Sequence, residues 1–130
     1  MPEDATLYRQ NLVGITEVPA PDNLVHGTAR ISEVKLSAEG KYKRGELLMS
    51  SGENEFVSAT SAGLASAIEI CLLCRDCDVP ASSTVYTAGY FMGTFSGDSI
   101  VLSYETEAND HASLIAEVAA TLRRRNIYIV

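Results

Sequence analysis

Apolar and polar positions follow strand-like patterns through most of this chain, and the pattern turns helical only near its C-terminal end. Residues 26–36 place Ala29, Ile31 and Val34 where a strand would bury them, and Ala38-Glu39-Gly40 follows as a turn. Residues 41–49 read as the next strand, joined through the hairpin-like turn Ser50-Ser51-Gly52-Glu53-Asn54 to Glu55-Phe56-Val57. The small, Ala-rich stretch 61–67 suits a short helical turn or a closely packed loop. Residues 68–74 are apolar except for Glu69, as expected of a strand buried on both faces. Residues 76–83 are loop-forming. A β-rich run over 84–95 carries Val85, Tyr86, Tyr90, Phe91 and Phe95, with kinks expected at Gly89 and Gly93. Ser96-Gly97-Asp98 then turns the chain into a further strand over 99–105.

The helical pattern runs over residues 110–124, with Ala112, Ile115, Val118, Ala119 and Leu122 on one face. Asn109 or Asp110 is placed to cap its start, and Arg123, Arg124 and Arg125 complement the dipole at its end. Asn126 suits the left-handed position after the helix, and Ile127-Tyr128-Ile129-Val130 closes the chain as a short strand.

The opening arm, residues 1 to about 30, shows little sign of carrying a core. Pro2, Gly14, Pro19, Pro21 and Gly27 divide them into pieces too short for a stable helix. Yet Leu7, Tyr8, Leu12, Val13, Ile15 and Val18 are more apolar than a solvated tail requires. The expected organisation is an extended arm over 1–30 and a body over 31–130. The fold class is α+β, mainly β: a compact strand-rich body with one C-terminal helix and a closing strand, preceded by the arm.

At 130 residues, 46% of them hydrophobic, the body has enough apolar material for a core without metals or disulfides. A net charge of −7 excludes nucleic acid as the expected partner, because Arg123-Arg124-Arg125 is too short a basic patch to follow a phosphate backbone. The N-terminus has no basic flank and apolar stretch of a secretory leader, and no apolar run reaches membrane-spanning length. Synthesis in a reducing compartment is expected, since the 3 cysteines cannot pair completely within one chain.

Cys71, Cys74 and Cys77 form CxxCxxC, yet on a strand the odd spacing sends Cys71 and Cys74 to opposite faces, so no metal is expected. Asp110-His111 lacks the partners of a catalytic triad, and His111 is expected to be solvated. Ser96-Gly97-Asp98-Ser99 has no phosphate-loop pattern. Tyr86, Tyr90 and Phe91 lack a surrounding basic groove and are assigned to the core or a subunit contact. No enzyme and no cofactor is expected.

Four segments in order carry a more specific signal: Lys43-Arg44-Gly45-Glu46-Leu47-Leu48, then Arg75-Asp76-Cys77-Asp78-Val79-Pro80-Ala81, then Tyr90-Phe91-Met92-Gly93-Thr94-Phe95, and finally Leu122-Arg123-Arg124-Arg125-Asn126-Ile127-Tyr128-Ile129. Their order and spacing resemble the head decoration protein D family of tailed bacteriophages, the lambda-type capsid-stabilising proteins. Cys77 inside the acidic segment and Glu69 within the buried strand depart from that family's pattern. The resemblance implies a non-catalytic homotrimer, made in the bacterial cytoplasm and seated on the outer surface of the virion capsid. It also implies that the arm orders on the expanded head by adding a strand to the major capsid (coat) protein. Leu7, Tyr8, Leu12, Val13 and Ile15, with Asn11 among them, are then the expected capsid-binding residues. The alternative is another non-catalytic oligomeric virion component, in a tail, spike or shell.

Overall fold

A computed structural model describes residues 24–50 and 55–130. Its strands are β1 (Arg30–Leu36), β2 (Gly40–Tyr42), β3 (Leu47–Ser50), β4 (Glu55–Ser58), β5 (Glu69–Leu73), β6 (Cys77–Val79), β7 (Val85–Phe95) and β8 (Ile127–Ile129). Helices α1 (Ser61–Leu64) and α2 (His111–Arg123) and a 3-10 turn at Gly97–Ser99 complete it.

β3 and β4 pair antiparallel as expected, with Met49 opposite Val57, and the turn expected between them at 51–54 lies outside the described residues. β5 runs antiparallel to β3, and β7 runs antiparallel to both β5 and β1. β1 meets β4 in parallel at Leu36 and Phe56. These pairings close a ring, β1–β4–β3–β5–β7 and back to β1, so the strands form a small barrel. β8 extends the sheet beyond the ring, parallel to the end of β7, while β2 and β6 pair separately.

Alternate residues of the ring strands serve two cores. Val34, Leu36, Leu48, Phe56, Cys71 and Leu73 pack together inside, joined by Tyr42 of β2 and Val79 of β6. Leu47, Ile70, Leu72, Ala88 and Tyr90 point outward and are covered by Leu114, Ile115, Val118 and Leu122 of α2. Double burial explains why β5 reads as a nearly continuous apolar run. It also explains Gly89, where a Cβ would stand 2.7 Å from Val34 Cγ2 and 3.0 Å from Cys71 Sγ. The missing side chain lets β7 close on the strands across the interior.

The α+β, mainly β class with its C-terminal helix and closing strand is as expected. Residues 1–23 of the arm lie outside the described residues. Asn126 takes the left-handed conformation at φ 64° and redirects the chain from α2 into β8. Arg125 ties that corner to the loop before β5, donating to the carbonyls of Ile68 at 2.5 Å and Ala67 at 2.6 Å.

Several local expectations are corrected. The strand expected over 41–49 is two strands in different sheets, because Gly45 at φ +86° turns the chain between them. Within the loop expected at 76–83, Cys77–Val79 is a strand, since β2 supplies it with a partner from far along the chain. The strand expected over 99–105 reduces to a parallel bridge between Val101 and Glu46, preceded by the 3-10 turn. On α2, Leu114 is buried and Ala112 is exposed, so the helix turns its larger side chain to the sheet.

Candidate functional site

The expected capsid-binding residues, Leu7, Tyr8, Asn11, Leu12, Val13 and Ile15, lie outside the described residues. The structure does give the place where the segment carrying them joins the body. Leu24 is fully buried, Val25 bridges Phe95, and the His26 N–H donates to Thr94 O at 2.9 Å. The Ser96 N–H donates back to Leu24 O at 2.8 Å. β8 flanks the same end of β7 on its other side, with the Val130 N–H on Phe95 O at 2.9 Å and the Gly97 N–H on Val130 O at 3.2 Å. Residues 24–26, which the sequence places in the arm, are thus held as part of the body.

The four segments that carry the family resemblance come together in space. Arg44 Nη1 donates to Cys74 O at 2.5 Å and to Tyr90 Oη at 3.1 Å, with the guanidinium carbon 5.7 Å from the Tyr90 ring centroid. The Arg44 backbone N–H donates to Asp76 Oδ1 at 2.8 Å. The 43–48 segment is thereby joined to both 75–81 and 90–95. The last pair is joined by the Gly93 N–H donating to Asn126 O at 3.0 Å and by Thr94 standing opposite Tyr128. Glu46, only 4% exposed, sits in the same region and accepts hydrogen bonds from the Lys43 N–H and the Ser58 hydroxyl. A carboxylate is tolerated there because its oxygens are paired.

His111 is not the solvated residue expected. Its Nδ1 lies 2.5 Å from Glu105 Oε1 and its Nε2 lies 2.9 Å from Gly97 O. Both partners are acceptors, so the arrangement requires both ring nitrogens to carry protons. The Glu105 hydrogen bond, then the Gly97 carbonyl, raise the His111 pKa from its ordinary 6.5, and the charges of Glu105 and Asp98 add to this against partial burial. The contribution to stability is fully present below the ordinary value and is lost as pH rises through the raised folded one. Thermal melts from acid to mildly alkaline pH should therefore show a stability loss above pH 6.5 that His111→Gln removes. Parallel pH profiles for the two proteins would refute the latch. No local sequence signal points to it, since Glu105, Gly97 and His111 belong to different local segments.

Cys71 packs in the inner core and Cys74 in the outer one, on opposite faces as their spacing predicts. Burial, then Cys74 and Glu69, push the Cys71 thiol well above its usual range, which keeps it a protonated core side chain. Cys77 lies on β6 opposite Tyr42. Among the described residues no group of His, Cys, Asp or Glu converges as a metal site would, and no helix is long and apolar enough to cross a membrane.

The aromatics do not form one stacking platform. Tyr90 is buried in the outer core, Phe91 meets Phe56 edge-on at 5.7 Å, and Tyr86 is 62% exposed. A cleft of ≈ 320 Å³ opens over the Phe56–Phe91 pair, rimmed by Arg30, Glu33 and Glu69. Glu69, the polar interruption in an apolar strand, thus lies at an opening rather than in the core. No protein-family model matches the chain, and no curated protein does.

Proposed function

We propose that this chain is a bacteriophage head decoration protein. In this reading it is a homotrimer on the outer surface of an expanded capsid, holding neighbouring coat subunits against the pressure of packaged DNA. The observation that carries the reading is the convergence of the four family-like segments through Arg44, Tyr90, Asp76 and Asn126. The segments whose order and spacing carry the resemblance are thus also neighbours in the fold. The pinned arm root supports it as well, because tension on a docked arm would pass through Leu24–His26 into the central strand of the sheet.

The arm is the docking device, its Leu7–Ile15 cluster adding a strand to the coat protein. Ordering a residue costs roughly 1–2 kcal/mol of backbone entropy. A backbone hydrogen bond returns only about 0.5–1.5 kcal/mol net. Apolar anchors must tip that balance, and a trimer multiplies the effect, since one docked arm raises the local concentration of the others. The role is structural, with no reaction, cofactor, nucleic acid or membrane.

Co-sedimentation tests it. The full chain should pellet with expanded heads and stay in solution with unexpanded ones. Deleting residues 1–18 should leave a folded trimer that no longer pellets. Equal binding to both head forms would favour a different virion component. A truncated chain that decorates as tightly as the full one would refute arm docking.

A further inference from the structure

The two ends of α2 carry opposite net charge, only part of which is neutralised locally. Its N-terminal end gathers Asp98, Glu105, Glu107 and Asp110, and of these Glu105 is bound by His111 and Asp110 by the Ser113 hydroxyl. Its C-terminal end carries Arg123, Arg124 and Arg125, of which Arg125 is engaged with the Ala67 and Ile68 carbonyls. Among the described residues, neither the Asp98 and Glu107 carboxylates nor the Arg123 and Arg124 guanidiniums make an ion pair, and all four residues are exposed. The helix of 13 residues holds these two patches about 20 Å apart.

Complementing the helix dipole accounts for part of this, but that effect is confined to the first and last turn. It does not reach Asp98 and Glu107, which lie outside the helix. Nor does it explain the apolar residue beside each patch. Val130, 67% exposed, is hydrogen-bonded to Gly97 next to Asp98. Ile68, 60% exposed, sits under Arg125 at the basic end. Each end of α2 therefore presents an apolar contact beside a net charge, acidic at one end despite His111 and basic at the other, and the two ends are complementary.

We infer that copies of this chain associate head to tail, the acidic Asp98/Glu107/Val130 end of one meeting the basic Arg123/Arg124/Ile68 end of the next. The inference rests on the proposed trimer and supplies its interface. A heterologous contact of this kind closes into a ring when its rotation matches the subunit number. The partner is a second copy because the chain's overall charge is −7, so this basic patch finds a matching acidic surface on every other copy. Complementary charge sets the register, and Ile68 and Val130 supply buried apolar area.

Sedimentation equilibrium of the full chain provides the test. Arg123→Glu/Arg124→Glu should weaken self-association at least about tenfold, and so should Asp98→Lys/Glu107→Lys. The chain carrying all four reversals should regain the trimer, an outcome that misfolding cannot produce. A wild-type trimer that both double reversals leave intact overturns this interface while the decoration reading stands. Reversals that keep the trimer but abolish head binding assign the basic end to the coat protein instead. A monomeric wild type overturns the trimer and this inference together.

Discussion

Gly45→Ala should destabilise the protein by about 3 kcal/mol or more, a large share of the roughly 5–15 kcal/mol that holds a typical domain folded. Gly45 sits at φ +86°, where an L side chain costs about 1–2 kcal/mol. A Cβ there would also stand 2.5 Å from Ser99 O, a backbone atom that cannot rotate aside. Relief by shifting the chain is resisted from both sides: the Gly45 N–H donates to Leu73 O at 2.8 Å, and its carbonyl accepts from the Val101 N–H at 2.9 Å. The added methyl therefore either strains the turn or separates the start of β3 from β5 and the Val101 bridge. Urea denaturation with an unchanged slope would give the difference directly. A loss below about 1 kcal/mol would show that this turn relaxes freely.

Phe95→Ala should cost a similar amount, about 3–5 kcal/mol, as expected for a fully buried phenylalanine whose cavity the surroundings cannot fill. Phe95 is 0% exposed and packs against Tyr90 with ring centroids 5.5 Å apart. Its backbone is also the crossing point of the sheet, bridged to Val25 on one side and opposite Ile129 on the other. The loss should accordingly be accompanied by faster hydrogen exchange at the His26 and Val130 amides, whose acceptors are Thr94 and Phe95. Tyr86→Ala, at a 62% exposed position on the same strand, should stay within about 0.5 kcal/mol. If the two substitutions cost the same, the assignment of Phe95 to the centre of the core would fail.

Elements specified by nearby residues were the ones legible from sequence. The helical stripe around Ile115, Val118 and Leu122, the left-handed Asn126 and the opposed faces of Cys71 and Cys74 each follow from a period or a turn residue within a few positions. What was missed depends on partners far away. Cys77–Val79 looks like a loop until Gly40–Tyr42 is placed beside it, and residues 99–105 look like a strand although only Val101 finds a bridging partner. Ring closure is written in the register of β1 against β7, Lys35 opposite Tyr86, which no local pattern encodes. The His111 latch escaped for the same reason, since its partners lie 6 and 14 residues away and no periodic pattern links them. The candidate docking residues rest on composition and family likeness, whereas the hold on Leu24 depends on Phe95 and Ser96, more than 70 residues along the chain.

The end of β7 has neighbours from opposite ends of the described chain, residues 24–26 on one flank and β8 on the other. This has a consequence for the order of events at the ribosome. The barrel strands β1, β3, β4, β5 and β7 have all been synthesised once Phe95 emerges, so the ring can close while α2 is still being made. The junction at Phe95–Gly97 must wait for Val130, because its last hydrogen bonds come from that residue. Contacts of such long sequence separation form slowly. Each nascent chain therefore passes through a stage in which the barrel strands can pair while the Phe95–Gly97 junction is only half built, and the junction is completed once Val130 is in place.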